Sequence, residues 1–576
     1  MPTHRLPSRR EDPRARWLRE PATRCVLLLL VLIAGSILLA LIGPAHDSSP
    51  APKEFSEAYN PPQDKTDGPE VGSASSQDRA VTEPPKPIVH VLDSPLSVLE
   101  PTLEHAVEMK RRADAVREAF LHAYGSYKKV AWGKDELKPI SKKHHNWITG
   151  HPLALTVIDS LDTMFLMGLH DEFREATELL RSLSFNIDRS VSVFESNIRI
   201  LGGLLSAYQL SEDPFYLVAA KDFGDRLLPA FRSKSGLPVA TVNLASGSSS
   251  NPSWNQNRNA LSEMGTLQVE MFTLSHLTGD NRYATAAANV IRTLDQLEKP
   301  SHGLYPILVD TDSGQFGRDS SAKRITYGAL GDSFYEYLVK VWLLTNETAP
   351  RYHRMYYDEV VPATVATLVK QDANGLTYLA EYLDQRGTKD KMDHLVCFAG
   401  GMFALGAAAQ LDSPSPEARL ANDAFRLGAE ITRTCHEGHR TATGLPPEIW
   451  HFDAAGIKPA SGAKHYLLRP ETVESYFILY RLTGDRKYQD WGWELFEAIE
   501  RHCRLEGGYS GVRDVTEDRV HHDDFQQSFF LAETLKYLYL LYAPADLVPL
   551  KEWVFNTEAH PQRRFTPDAS LLKAIQ

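Results

Sequence analysis

Apolar residues recur at helical spacing along most of this 576-residue chain, as in 103–124 (LEHAVEMKRRADAVREAFLHAY) and 171–183 (DEFREATELLRSL). Strand-like alternation is scarce, so residues 96–576 are predicted to form one mostly helical region. A short repeat punctuates it. LTGDNRY (277–283) returns as LTGDRKY (482–488) and, more loosely, as LSEDPFY (210–216). Each copy reads as a helix end at Gly or a polar substitute, a tight turn, and an aromatic that begins the next helix. Helical hairpins repeated in this way close into an α/α barrel with an inner and an outer ring.

A second regularity concerns the helix before each turn. It is apolar but opens on an acid: Glu195 in ESNIRILGGLLSAYQL, Glu263 in EMGTLQVEMFTLSHL and Asp332 in DSFYEYLVKVWLL. Glu471 and Glu474 open ETVESYFILYRL, and QSFFLAETLKYLYLLY carries Glu533. If these are the inner helices and run the same way, their acids converge at one end of the barrel. A helix dipole explains any one such acid. It does not explain a whole set on otherwise apolar helices, because buried acids need a reason.

The N-terminal hundred residues follow another pattern. Residues 25–43 (CVLLLLVLIAGSILLALIG) are uncharged and long enough to cross a bilayer as a helix. Arg5, Arg9, Arg10, Arg14, Arg16, Arg19 and Arg24 precede this run, and no Lys or Arg follows it before Lys53. That asymmetry predicts a cytoplasmic tail (1–24), a transmembrane signal anchor (25–43) and a lumenal remainder, a type II topology. A cleaved signal peptide fits less well, since the run is long and Ile42-Gly43-Pro44 is a poor cleavage site. Residues 44–95 are rich in Pro, Ser, Asp and Glu and read as an extended, disordered stem.

The net charge of −12 gives no support to nucleic-acid binding. Outside the apolar run the cysteines are Cys397, Cys435 and Cys503, enough for one disulfide and one spare thiol, so a large core must hold the fold together. Asn346-Glu347-Thr348 is an N-glycosylation acceptor. No Cys/His metal motif, phosphate-binding glycine loop or nucleophile elbow is present. His144-His145, His521-His522 and the His436/His439 pair read as surface or loop histidines. An oxygen-only calcium site would leave almost no local trace.

Carboxylates converging on a pocket suit glycoside hydrolysis, in which one acid protonates the leaving oxygen and another activates water. Arg199 lies one helical turn beyond Glu195 on the same face, placed to hold a carboxylate or bind sugar hydroxyls. Arg469-Pro470-Glu471 puts Pro directly before the acid at a helix start. Trp491 and Trp493 follow a helix-start signature at helical spacing and read as core.

The longer motifs resemble glycoside hydrolase family 47, the class I α-1,2-mannosidases. They are VFESNIRILGGLLSAY (193–208), GDSFYEYL (331–338), KMDHLVCFAGGMFALG (391–406), LRPETVESYFILYRLTGDRKYQDWGWE (468–494), QQSFFLAETLKYLYLLY (526–542) and VFNTEAHP (554–561). The resemblance spans roughly residues 146–560. It implies an (α/α)7 barrel and inverting hydrolysis of terminal α-1,2-linked mannose on high-mannose N-glycans, with a calcium ion at the bottom of the pocket. By analogy Glu195 matches the general acid, acting through a water, Glu471 the general base, and Asp332 a third essential carboxylate. Thr557 matches the direct calcium ligand. Arg199, Glu263, His394, Arg469, Glu474, Phe529, Glu533 and Glu558 match the shell contacting substrate or calcium-bound water. Cys397 and Cys435 match the family's disulfide, leaving Cys503 free.

Leu330, two residues before Asp332, bears on subtype. Members of the endoplasmic reticulum type, which remove a single mannose, resemble this segment but carry arginine there. Leucine is similar to the Golgi type, which trims nine-mannose glycans toward five, and leaves more room in the pocket. Golgi membrane residence is the resulting expectation. A lectin-like quality-control relative with little hydrolysis is the rival reading, opposed by the presence of all three carboxylates and Thr557. A lyase or retaining glycosidase on the same fold fits the motif detail worse.

Overall fold

The repeated turn sequences end helices as their chemistry requires. Gly279 and Gly484 sit at helix C-termini with φ of +71° and +68°, where glycine carries no Cβ penalty. In the looser copy Glu212 takes the same left-handed position, at φ +59°. The aromatics that follow, Tyr216, Tyr283 and Tyr488, are buried. In the computed structural model, residues 102–252, 257–300, 303–319, 322–410 and 416–576 are described. The tail, the apolar run at 25–43 and the stem lie outside them. Among the described residues no helix is long and apolar enough to cross a membrane.

The helices alternate between two layers. The inner ones are α2 (Leu161–Leu166), α4 (Gly202–Ser211), α6 (Gln268–Thr278), α8 (Asp332–Leu344), α10 (Phe398–Ala408), α12 (Glu471–Thr483) and α14 (Leu535–Tyr542). The outer ones are α3 (His170–Arg181), α5 (Pro214–Leu227), α7 (Arg282–Gln296), α9 (Val361–Thr367), α11 (Pro416–Glu437) and α13 (Lys487–His502), together with α1 (Leu103–Ala131). Each inner helix touches the next, from α2 round to α14, and the turn preceding α14 touches α2 again. The ring is therefore closed. Its last hairpin joins the two ends of the region, because α1 packs against α14.

Two inner helices are extended at their N-termini by a π turn: Ser196–Leu201 before α4 and Phe530–Thr534 before α14. Short antiparallel strand pairs hold the entries to several inner helices. Ser190–Ser192 pairs with Thr241–Asn243 just before Glu195, and Arg258–Ala260 pairs with Leu308–Asp310 just before Glu263. A last hairpin, Trp553–Phe555 with Pro561–Arg563, inserts its loop among the inner helices. Gly202 and Gly203 of α4 make room for it, since a Cβ on either would collide with Asn556 or with Ile158 beside His560.

A disulfide joins Cys397, at the entry to α10, to Cys435 near the end of α11, and Cys503 is a buried free thiol. The pair His436/His439 corrects the sequence reading. His439 is buried and the His436 ring stacks on Trp491 at 4.0 Å, because the end of α11 is pressed into the core beside the outer helix α13. Trp491 and Trp493 pack against the core from α13, as their spacing predicts.

Candidate active site

The acids at or just before the starts of the inner helices share one cavity of about 300 Å³. Glu263 does so from a separate short helix, Leu261–Gly265, ahead of α6, and does not open α6 as the sequence predicts. Glu195, Glu263, Asp332, Glu471, Glu474 and Glu533 all line it, joined by Arg199, Leu330, Arg469, Phe529, Thr557 and Glu558. His394 is placed differently. It lies behind the wall, fully buried, and its Nδ1 is 2.8 Å from Glu471 Oε2. Its Nε2 is 2.9 Å from the Thr472 hydroxyl.

Glu471 has the most elaborate support. Burial alone would raise its pKa, but the hydrogen bond and charge of His394, together with the Arg469 cation, hold it below the usual carboxylate range. Arg469 is fixed in turn by bidentate hydrogen bonds to Glu448, at 2.6–2.9 Å. A carboxylate kept ionised in a closed wall is suited to accept a proton from water.

Asp332 contrasts with it. Burial, the leading cause, pushes its pKa up to about 7, and nearby Glu336, Glu471 and Asp393 push the same way. Its only compensating contact of note is the Ser333 amide, at 3.0 Å. Leu330, two residues earlier, lines the cavity with φ +79°, a left-handed conformation costly for leucine. Glu263 is likewise driven up to about 7, first by burial and then by the charge of Glu195.

Glu195 forms a 2.8 Å ion pair with Arg199 Nε across the π turn. The same guanidinium reaches Glu558 and the Ser528 hydroxyl, and lies 5.8 Å from the Phe529 ring centroid. At the floor, Glu336 and Glu474 pair with Lys340 of α8. Burial drives Glu533 and Glu558 well above the carboxylate range, helped at Glu533 by the charges of Glu558, Glu471 and Glu474 and at Glu558 by those of Asp159 and Glu195. Among the described residues neither Glu263 nor Glu533 takes part in a hydrogen bond or a close ion pair, and only the charge of Arg199 opposes the rise at Glu533.

Sequence reasoning passed over several functional neighbours. Glu336 lines the cavity and was findable in principle, four residues after Asp332 on the same face. Glu448, Asp393 and Lys340 were not, since their partners are distant in sequence or buried. Asn346, the acceptor asparagine, is exposed just past the C-terminal end of α8. That is about 20 Å along the helix from Asp332, at 1.5 Å per residue. Its side-chain amide donates to Thr566 Oγ1 at 3.0 Å.

The signature of glycosyl hydrolase family 47 matches residues 119–564. The chain belongs to that family. It is 46% identical over 462 residues to mannosyl-oligosaccharide 1,2-alpha-mannosidase IA of Sus scrofa, covering 79% of this chain and 68% of that one. It is 40% identical over 514 residues to the human endoplasmic reticulum mannosyl-oligosaccharide 1,2-alpha-mannosidase, covering 87% and 69%. Among solved structures it is similar to an alpha-1,2-mannosidase from Trichoderma reesei, with a TM-score of 0.72 and 32% identity over 79% of this chain and 99% of that one.

Proposed function

We propose that this family 47 chain hydrolyses terminal α-1,2-linked mannose from high-mannose N-glycans with inversion at the anomeric carbon, trimming nine-mannose glycans toward five. The observation that carries the reading is the pairing of opposites in one cavity. Glu471 is held ionised by His394 and Arg469, while Asp332 holds its proton up to about 7. The relatives named as 1,2-alpha-mannosidases supply the substrate class.

In the proposed reaction Glu471 takes a proton as a water oxygen bonds to the anomeric carbon. The glycosidic C–O bond breaks, and the departing sugar oxygen receives a proton from Glu195 through a water. Burial of Asp332 favours a second reading in which Asp332 is the donor. The pH profiles of Glu195→Gln and Asp332→Asn separate the two, because only loss of the true donor removes the alkaline limb.

The floor fits a hard divalent cation, which we propose to be calcium. Oxygen is the only ligand type at hand there, and burial and neighbouring carboxylates disfavour the ionised forms of Glu533 and Glu558, which a bound cation would restore. Among the described residues no three His, Cys, Asp or Glu side chains converge on one point, so Thr557 and waters would hold the ion. A bound calcium would orient and polarise sugar hydroxyls.

The apolar run at 25–43 with its upstream arginines supports a type II anchor, and Leu330 supports Golgi residence. Lumenal exposure would make Asn346 available for glycosylation. The test is a timed digest of nine-mannose glycan by residues 96–576, with calcium and with chelator. A ladder descending to five mannoses and abolished by chelator is the expected result. A stop after one mannose would remove the Golgi assignment, and binding without cleavage would overturn the enzyme.

A further inference from the structure

Two lysines on inner helices are buried where an apolar residue would be the default. Lys340 of α8 is 2% exposed and Lys536 of α14 is 1% exposed. Burying an ammonium is costly unless it is paired and hydrogen-bonded. Both are engaged, and they hold the two ends of the same loop. Lys340 Nζ donates to the carbonyl of Asn556 at 3.2 Å, and Lys536 Nζ donates to the carbonyl of Ala559 at 2.7 Å. Between those two carbonyls lie Thr557 and Glu558, the residues that the last hairpin brings to the cavity.

The remaining bonds of the loop show why it needs holding. Ala559 has φ +58°, a conformation that a non-glycine residue keeps only when its surroundings impose it. The Asn556 side-chain oxygen accepts from the amides of Glu558 (2.9 Å) and His560 (2.7 Å), folding the loop tightly on itself. The two lysines differ in their ionic partners. Lys340 pairs with Glu336 and Glu474, which line the cavity, whereas Lys536 pairs with Asp162 at 2.9 Å and touches no cavity residue but through the loop.

We infer that Lys340 and Lys536 are positioning residues whose buried ammonium groups clamp the two ends of the Asn556–Ala559 segment and so present Thr557 to the cation at the cavity floor. The inference rests on the calcium reading above. Lys536 gives the cleaner test, because it forms no ion pair with a cavity acid, its charge being felt there at Glu558, and its removal leaves Asp162 paired with His560.

The experiment is calorimetric titration of calcium into chelator-stripped residues 96–576, wild type and Lys536→Met, with thermal melting of each in chelator. Outer partners of metal ligands typically contribute 10–100-fold in affinity, and a loss of at least tenfold is expected for Lys536→Met. Lys536→Gln, which keeps an N–H donor, should recover part of it. A variant that melts lower but binds calcium as tightly as wild type would show a purely structural lysine and overturn the inference. Absence of calcium binding in wild type would instead overturn the calcium reading itself. Should Lys536→Met fail to fold, hydrogen exchange in the wild type decides. Protection of the 558 and 560 amides equal to that of α14 is expected, and rapid exchange would sink the clamp.

Discussion

Helices α10 and α12 are neighbours in the inner ring and could hardly be less alike. α10 reads FAGGMFALGAA, has no charged residue and is buried on every side. α12 opens on Glu471 and Glu474, both lining the cavity. The blank helix nevertheless sets the geometry of the charged one. A Cβ on Gly401 would lie 2.8 Å from Ile478 Cδ1, so the glycine lets α12 approach closely. Gly401 N–H donates to the Ser475 hydroxyl at 2.7 Å, and that hydroxyl donates to the Cys397 carbonyl. The turn leading into α10 then delivers His394 to Glu471. Packing without charge fixes the distance at which charge operates.

Breaking the charged side alone should have the largest effect. Glu471→Gln preserves shape, and hydrolysis of nine-mannose glycan is expected to fall by about 10²–10⁴, the range for a lost general base. Circular dichroism and glycan binding should stay near wild type, and a variant retaining most of its turnover would unseat Glu471 as the base. Breaking the blank side alone is the converse. Gly401→Val forces methyl groups against Ile478 and Ser475, and an overpacked core site costs typically about 1–3 kcal/mol. Denaturant melts would read this as a lower midpoint; an unchanged midpoint would mean that α10 and α12 have slack between them.

A subtler comparison sets Asp332 against Glu471, since the fold raises the pKa of one and lowers that of the other. For Asp332 the folded state binds its proton up to about 7, against a reference value of 3.8. Between those values the folded protein holds more protons than the unfolded chain, so this group's contribution to stability is lost as pH rises through that window. Asp332→Asn should flatten the curve of stability against pH there, measured in chelator. An identical slope in the variant would place the proton elsewhere. The smallest expected change comes from Leu330→Arg at the cavity rim. It should narrow the product range toward removal of one mannose, read from the accumulated glycans, with the first cleavage kept.

The helical hairpins, their turns and the acids at the inner helix starts were all legible in the residues. Each depends on spacing within one or two helical turns. His394 and the His436/His439 pair were less so. Whether a histidine stands in a cavity wall, behind it or under a neighbouring helix depends on packing between segments far apart in the chain. Lys340 and Lys536 were invisible for the same reason. In an apolar run a lysine reads as surface, and only the assembled ring, with carbonyls from the inserted hairpin and carboxylates from α2, α8 and α12, makes burial tolerable.

The sequence by itself determined the family, the alternation of helix and turn, and the placing of carboxylates at one end of a helical ring, because these follow from local periodicity and motif. Tertiary structure decided which ionised groups face one another: Glu471 with His394, Arg469 with Glu448, Arg199 with Glu195 and Glu558 together. Those pairings set the protonation of each acid. They arise only when the ring closes and water is excluded, since a charge's preferred state depends on the partners and the dielectric around it rather than on its neighbours along the chain.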